Sequence, residues 1–332
     1  MRAMRAVQIV DESGPDSALQ LVDAPEPAPS PMLTGGEGVV IEVHAAGVSF
    51  PELLQTRGEY QLKPPLPFIP GSEVAGIVRS APVQAPVKAG DRVAGFCGLG
   101  GFAETAVAPD FFSFPLSPEL DFAQGAGLIL NYHTAYFSLA MRGRLKAGET
   151  VLVQGAAGGV GTASLQVARG LGARTIALVS DQTKANVAQE AGADEVVLVS
   201  DGWKDEVKQR SDGGVDVVLD PVGGDRFTDS VRSLREGGRV VVVGFTGGSI
   251  PEVRVNRLLL SNTEIVGAGW GAYVMSKPEL NLEIGAAIAR MVDEGVVRPI
   301  VGAHFPLERA ADALKLLGER RATGKVVLDV RA

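Results

Sequence analysis

From about residue 150 onward, short β-branched and aliphatic runs alternate with helical stretches. Such alternation is the signature of βαβ units around a parallel sheet, because each buried strand needs a crossover to return the chain in the same direction. The pattern predicts strands at 150–154, 175–179, 195–199, 215–220, 239–243 and 264–267, with helices over 159–171 and 183–191 between them. Six strands joined by right-handed crossovers make a doubly wound α/β sheet, whose ligand crevice lies at the carboxyl ends of the first and fourth strands.

The first 120 residues read differently. Proline and glycine clusters separate short strands at 38–45, 73–80 and 91–96, and the opening ten residues form a first strand, so an antiparallel, barrel-like domain is expected. Near the end, helices over 280–294 and 307–317 and a strand over 324–330 carry too little apolar material for a core of their own. They are expected to return and complete the first domain, leaving a cleft between the two. The expected boundaries are therefore 1–121, 122–268 and 269–332, with no internal repeat and no long low-complexity linker.

Composition narrows the classes. The chain has 332 residues, 45% hydrophobic and 21% charged, with a formal net charge of −8. That acidic balance argues against a nucleic-acid surface, and the densest basic run, Arg142, Arg144 and Lys146, reads as a solvated face. No run reaches the roughly 18 to 20 apolar residues that span a bilayer, and the apolar part of the opening segment is too short for a signal peptide. The single cysteine, Cys97, excludes an internal disulfide and a cysteine cage for zinc. A cytoplasmic protein without membrane insertion is expected.

The densest chemistry is the segment 151–161, VLVQGAAGGVG, an apolar strand running into a glycine-rich turn and then a helix. Gly155 suits the tight turn, Gly158 and Gly159 let a pyrophosphate approach the backbone, and Gly161 lets the helix pack closely on the sheet. With Val160 these residues put free N–H groups and the positive end of the helix dipole at an anion.

Ordered motifs extend over essentially the whole chain: AGVS at 46–49, RGEY at 57–60, LPFIPGSEVAG at 66–76, AGDRV at 89–93, the glycine turn, GAD at 192–194, the segment 216–223 and ATGKVVL at 322–328. On these the sequence resembles the medium-chain dehydrogenase/reductase superfamily, within it the zinc-free quinone oxidoreductase branch that includes zeta-crystallin. The resemblance implies a six-stranded Rossmann domain binding NADPH and a GroES-like, mainly antiparallel β-barrel catalytic domain. It also implies that no metal is held. Ser49 stands where zinc-dependent relatives have their first cysteine, Ser72 where they have histidine, and Leu130 falls near the third ligand. His44, His133 and His304 are too dispersed to rebuild a site.

NAD-binding sheets usually end their second strand on a carboxylate that accepts from the ribose hydroxyls. Here Val179 and Ser180 stand at that point, and Asp181 reads as a helix cap. Ser180 and Lys184 offer a hydroxyl and a cation to a 2′-phosphate, which favours NADPH. The resemblance adds Thr134 beside the cofactor, with Asn131, Tyr132 and His133 as weaker neighbours. It adds Gly244, Phe245 and Thr246 along the nicotinamide, and Lys325 and Arg321 reaching back to the phosphates.

On the substrate side Tyr60 is a candidate hydrogen-bond and proton donor, or a packing tyrosine. Ser49 replaces the branch's usual asparagine as a donor of shorter reach. Glu52 reads as a structural first-turn carboxylate. Trp270 is expected over the substrate pocket or in a subunit interface, and the sixth strand, as a sheet edge, points to a homodimer. The implied reaction is zinc-independent hydride transfer from NADPH to a quinone or other α,β-unsaturated carbonyl, with the small-molecule enone as partner. Two other readings stay open: an enoyl-thioester or 2-alkenal reductase, and a non-catalytic NADPH-binding structural or regulatory protein.

Overall fold

The structure, a computed structural model, describes residues 3–28 and 37–331. β1 (Ala3–Ile9) and β2 (Leu19–Pro25) pair antiparallel as a two-stranded sheet. In β3 (Val39–Val48) inward and outward positions alternate, so Val39, Ile41 and Val43 share one buried face. A short helix, α1 (Phe50–Gln55), follows it, and then come β4 (Glu73–Ser80), β5 (Arg92–Phe96), β6 (Thr105–Ala108) and β7 (Ser113–Pro115).

The parallel sheet comprises β8 (Thr150–Gln154), β9 (Arg174–Val179), β10 (Glu195–Leu198), β11 (Val215–Asp220), β12 (Leu234–Val242) and β13 (Glu264–Gly267). Their spatial order is β10-β9-β8-β11-β12-β13, the doubly wound order in which the chain reverses direction between β8 and β11. Among the crossovers are α2 (Gly159–Gly170), α3 (Gln182–Glu190) and α4 (Phe227–Arg232). Val151, Leu152 and Val153 are fully buried with Ile176, Val218 and Val240. Burying each such side chain contributes roughly 1.5–3 kcal/mol. The expected start of the fifth strand at 239 moves back to Leu234, because the backbone already pairs at Val215 and Leu234 before a register shift.

The chain then forms α5 (Pro278–Asp293), β14 (Val301–Pro306), α6 (Ala310–Gly318) and β15 (Lys325–Asp329). β15 pairs antiparallel with β3, and β14 parallel with β15. The first unit's main sheet thus runs β14-β15-β3-β4-β5-β7, with β6 also on β3, and every pair except β14 with β15 is antiparallel.

Two compact units result: Met1–Leu130 with Pro278–Gly285 and Pro299–Ala332, and Asn131–Lys277 with Ala286–Arg298. The first division falls at 130 rather than 121, and the return segment is shared rather than wholly given to the first unit. Local packing explains the sharing. Asn281 donates to the Phe111 carbonyl at 2.8 Å within the first unit. In the second, the Gln166 side chain donates to the Arg298 carbonyl and accepts from its N–H, both at 2.9 Å, and Gly170 leaves room for Met291.

Candidate functional site

In the first unit the carboxyl end of β3 is flanked on both sides. Val326 of β15 pairs with Val48, which brings Lys325 next to Ser49, and Glu73 of β4 pairs with Gly47. Lys325 and Glu73, 2% and 1% exposed, form an ion pair, and the Lys325 ammonium also donates to Ser49 Oγ at 2.6 Å. Glu73 completes its set by accepting from the Leu130 N–H at 2.8 Å.

Gly47 makes this pairing possible. A Cβ there would stand 2.6 Å from Lys325 Cε and 2.8 Å from Glu73 Cγ, so only glycine lets the two side chains meet across the strand.

Beside this pair, Glu52 accepts from the N–H groups of Ser49 and Ser72, both at 2.9 Å, and contacts the Ser72 hydroxyl. Burial raises its pKa, opposed by the Ser72 hydrogen bond and the Lys325 charge. Glu52 is thus the helix-entry carboxylate expected from the sequence, and it also fixes Ser72. Tyr60 is half-buried, and burial together with the Glu52 charge holds its phenol neutral.

Ser49 and Ser72, at the positions that suggested an absent metal, are therefore engaged by an ammonium and a carboxylate. Among the described residues no group of three or more histidine, cysteine or acidic side chains is arranged to hold a metal ion. His44 stacks on Phe122, His304 pairs with Asp329, and Cys97 is buried against the carbonyls of Gly71 and Ser72. Burial pushes the Cys97 thiol up.

In the second unit β8 ends at Gln154 and Gly155 turns the chain at φ +58°, a left-handed conformation that favours glycine. A Cβ on Gly161 would lie 2.7 Å from the Ala156 backbone, which explains the close start of α2. Gly158 occupies the N-cap position without a side-chain cap, and Gly158, Gly159 and Val160 are partly exposed. The first N–H groups of this 12-residue helix thus have no side-chain cap, the arrangement in which a helix start can receive an anion. Asn131 borders the turn: a Cβ on Gly159 would stand 2.6 Å from its Nδ2.

The neighbouring strand ends converge on the same turn. Val222, after β11, lies 3.1 Å from a Cβ built on Gly155. Thr246, after β12, donates through both its N–H and its hydroxyl to the Pro221 carbonyl at 3.1 Å, and a Cβ on Gly223 would meet Phe245 at 2.9 Å. Gly244, Phe245 and Thr246 therefore border the crevice side of the sheet. Thr134, almost buried, opens a short helix that packs on α2.

At the end of β9, Lys184 donates to Ser180 Oγ at 2.9 Å. Asp181 accepts from the Lys184 N–H at 3.0 Å and from the Ser180 hydroxyl at 2.8 Å, which holds its carboxyl below the usual range. The hydroxyl and cation expected for a 2′-phosphate are together, and a capping carboxylate shares their corner. An open helix N-terminus, glycines that permit close approach and a hydroxyl–ammonium pair at the second strand's end fit an adenine dinucleotide phosphate.

Several expected contacts lie elsewhere. Lys325 is sealed in the Glu73–Ser49 pair rather than presented to phosphates, because β15 places it beside β3. Arg321 is exposed and paired with Glu319. Tyr132 is a core residue donating to Gln166 at 2.8 Å, and Trp270 is buried with its ring edge-on to His133. Glu73 stands inside the 66–76 motif, but an acidic residue at a strand start carries no local mark of its partner 252 residues away.

Comparisons with known proteins show the family. Residues 35–118 match the alcohol dehydrogenase GroES-like domain and 159–284 the zinc-binding dehydrogenase family. The chain is 38% identical over 310 residues to quinone oxidoreductase-like protein 2 of Rattus norvegicus, covering 92% of this chain and 88% of that one. Among solved structures, a probable oxidoreductase from Mycobacterium abscessus superposes with a TM-score of 0.88 at 41% identity, covering 99% of this chain and 100% of that one. The quinone oxidoreductase of Thermus thermophilus, also solved with NADPH, gives 0.83 at 32% identity over 98% of this chain and 100% of that one.

Proposed function

The chain belongs to the medium-chain dehydrogenase/reductase superfamily, and from that premise we propose that this oxidoreductase is an NADPH-dependent, zinc-independent reductase of quinones or other α,β-unsaturated carbonyls. The observation that carries the reading is the uncapped glycine-rich start of α2, with Ser180 and Lys184 at the end of β9. The N–H groups of Gly159, Val160 and Gly161 would hold the pyrophosphate, and Ser180 and Lys184 would take the 2′-phosphate. Bound there, the nicotinamide supplies a hydride.

A conjugated carbonyl is already an electrophile, so the protein need only hold it, exclude water and donate hydrogen bonds to the oxygen that gains charge. Ser49 and Tyr60 are the donors available for that oxygen. The donor set around Ser49 and Ser72, an ammonium and a carboxylate rather than thiolates and imidazoles, supports a reaction without a metal.

The test is oxidation of NADPH and NADH by metal-stripped protein across quinones, 2-alkenals and enoyl thioesters. Turnover with NADPH and a quinone or enone is expected. Tight NADPH binding with no turnover on any acceptor would overturn the reductase reading.

A further inference from the structure

The buried pair Lys325–Glu73 is costly, because an ammonium and a carboxylate are both withdrawn from water. Yet three elements are shaped around it. β15 delivers the lysine and β4 the glutamate, while Gly47 and Gly127 clear the path. A Cβ on Gly127 would press on Lys325 Cγ at 3.0 Å. The ammonium also donates to Ser49 Oγ at 2.6 Å, and of these three residues Ser49 is the one not fully buried.

A hydroxyl that accepts from an ammonium has its own proton left to give. As that proton leaves, the ammonium already donating to the same oxygen can replace it.

We propose that Ser49 is the proton donor to the substrate oxygen and that Lys325, held by Glu73, resupplies Ser49 through their hydrogen bond. The proposal rests on the reductase reading above. As hydride reaches the β-carbon of the enone, the carbon–carbon π pair shifts and the carbonyl π pair moves onto oxygen. The Ser49 O–H bond breaks and its proton joins that oxygen, while a Lys325 N–H bond breaks and its proton joins Ser49 Oγ. The products are the enol, an intact serine and a neutral lysine amine. Loss of the ammonium leaves Glu73 buried without its counter-charge, which draws a proton back along Ser49 from water once product leaves. Ser49 is the catalytic residue, and Lys325 and Glu73 position and charge it.

The experiment uses the full chain as wild type, Ser49→Ala, Ser49→Thr, the paired variant Lys325→Met with Glu73→Gln, and the triple combination. NADPH affinity, measured by fluorescence, serves as the fold control and should stay constant across the set. With the preferred acceptor, Ser49→Ala should lower kcat by about 10²–10⁴-fold with little change in KM, and should abolish the solvent deuterium effect. Ser49→Thr, which keeps the hydroxyl, should restore most of the rate. The paired variant should show a similar loss and the triple no further loss, because the groups act as one unit. Unchanged kcat and isotope effect in Ser49→Ala would overturn the relay while leaving the reductase reading intact.

A second readout needs no turnover. 4-Nitrophenol bound to the wild type should ionise more readily than in water, and about tenfold less so in Ser49→Ala and in the paired variant. If the wild type turns over no acceptor, the reductase reading falls, and equal ionisation of bound nitrophenol in all variants would remove the relay as well.

Discussion

The ammonium of Lys325 donates to the hydroxyl of Ser49 at 2.6 Å across 276 residues of sequence, and its second partner is the buried carboxylate of Glu73. Three residues that no local pattern links thus become one polar unit at the end of β3.

That unit should behave as a coupled pair in unfolding. Glu73→Gln or Lys325→Met alone leaves one buried charge uncompensated and should cost about 3–5 kcal/mol. Replacing both, as Lys325→Met with Glu73→Gln, should cost clearly less than the sum. Denaturant unfolding of the four proteins checks this, and additive losses would contradict the pairing.

Cofactor choice should depend on the corner at the end of β9. Lys184→Ala should weaken NADPH about tenfold, the effect of losing one charge-assisted hydrogen bond, with NADH little changed. Asp181→Asn keeps the helix cap and removes a negative charge beside Lys184, so NADPH should bind more tightly. Equilibrium titration with both cofactors gives the ratio.

Stability should fall with rising pH because of Asp220. Its Oδ1 accepts from the N–H groups of Val222 and Gly223 at 2.8 Å, while Oδ2 is buried without a partner, and burial raises the pKa of the carboxyl. A raised carboxyl favours the folded state most below the unfolded value of about pH 4, and that contribution is lost as pH rises through the folded value. Asp220→Asn keeps both accepted hydrogen bonds and removes the titration. It should match the wild type near pH 4 and exceed it by about 1 kcal/mol at neutral pH, read from thermal unfolding across pH.

Self-association should use the β13 edge. Among the described residues β13 pairs with β12 alone, and the preceding helix, Asn256–Ser261, buries none of its residues, leaving Leu259 and Leu260 76% and 79% exposed. A homodimer that covers this edge is the expected native mass. Leu259→Glu with Leu260→Glu should shift it toward the monomer, and a monomeric wild type would reject the arrangement.

The sequence by itself determined what is local. β8 and β11 fall at their expected limits because burial on both faces writes a continuous apolar run bounded by turn residues. The glycine turn was legible for the same reason, since the strand, the tight turn and the helix that present N–H groups to an anion are contiguous in the chain. Glu52 as a helix-entry carboxylate and Asp181 as a helix cap needed only their immediate neighbours.

Tertiary structure alone decided the rest. The resemblance placed Lys325 at the phosphates, and a lysine carries no sign of whether its head will meet water or a carboxylate. Glu73 carried no sign of its partner. Their meeting depends on β15 and β4 flanking β3, and on Gly47 leaving the gap between them, a relation set by strand order rather than by residues near in sequence. The division at 130 and the sharing of the return segment follow likewise from contacts such as Gln166 with Arg298, which form only when distant segments pack.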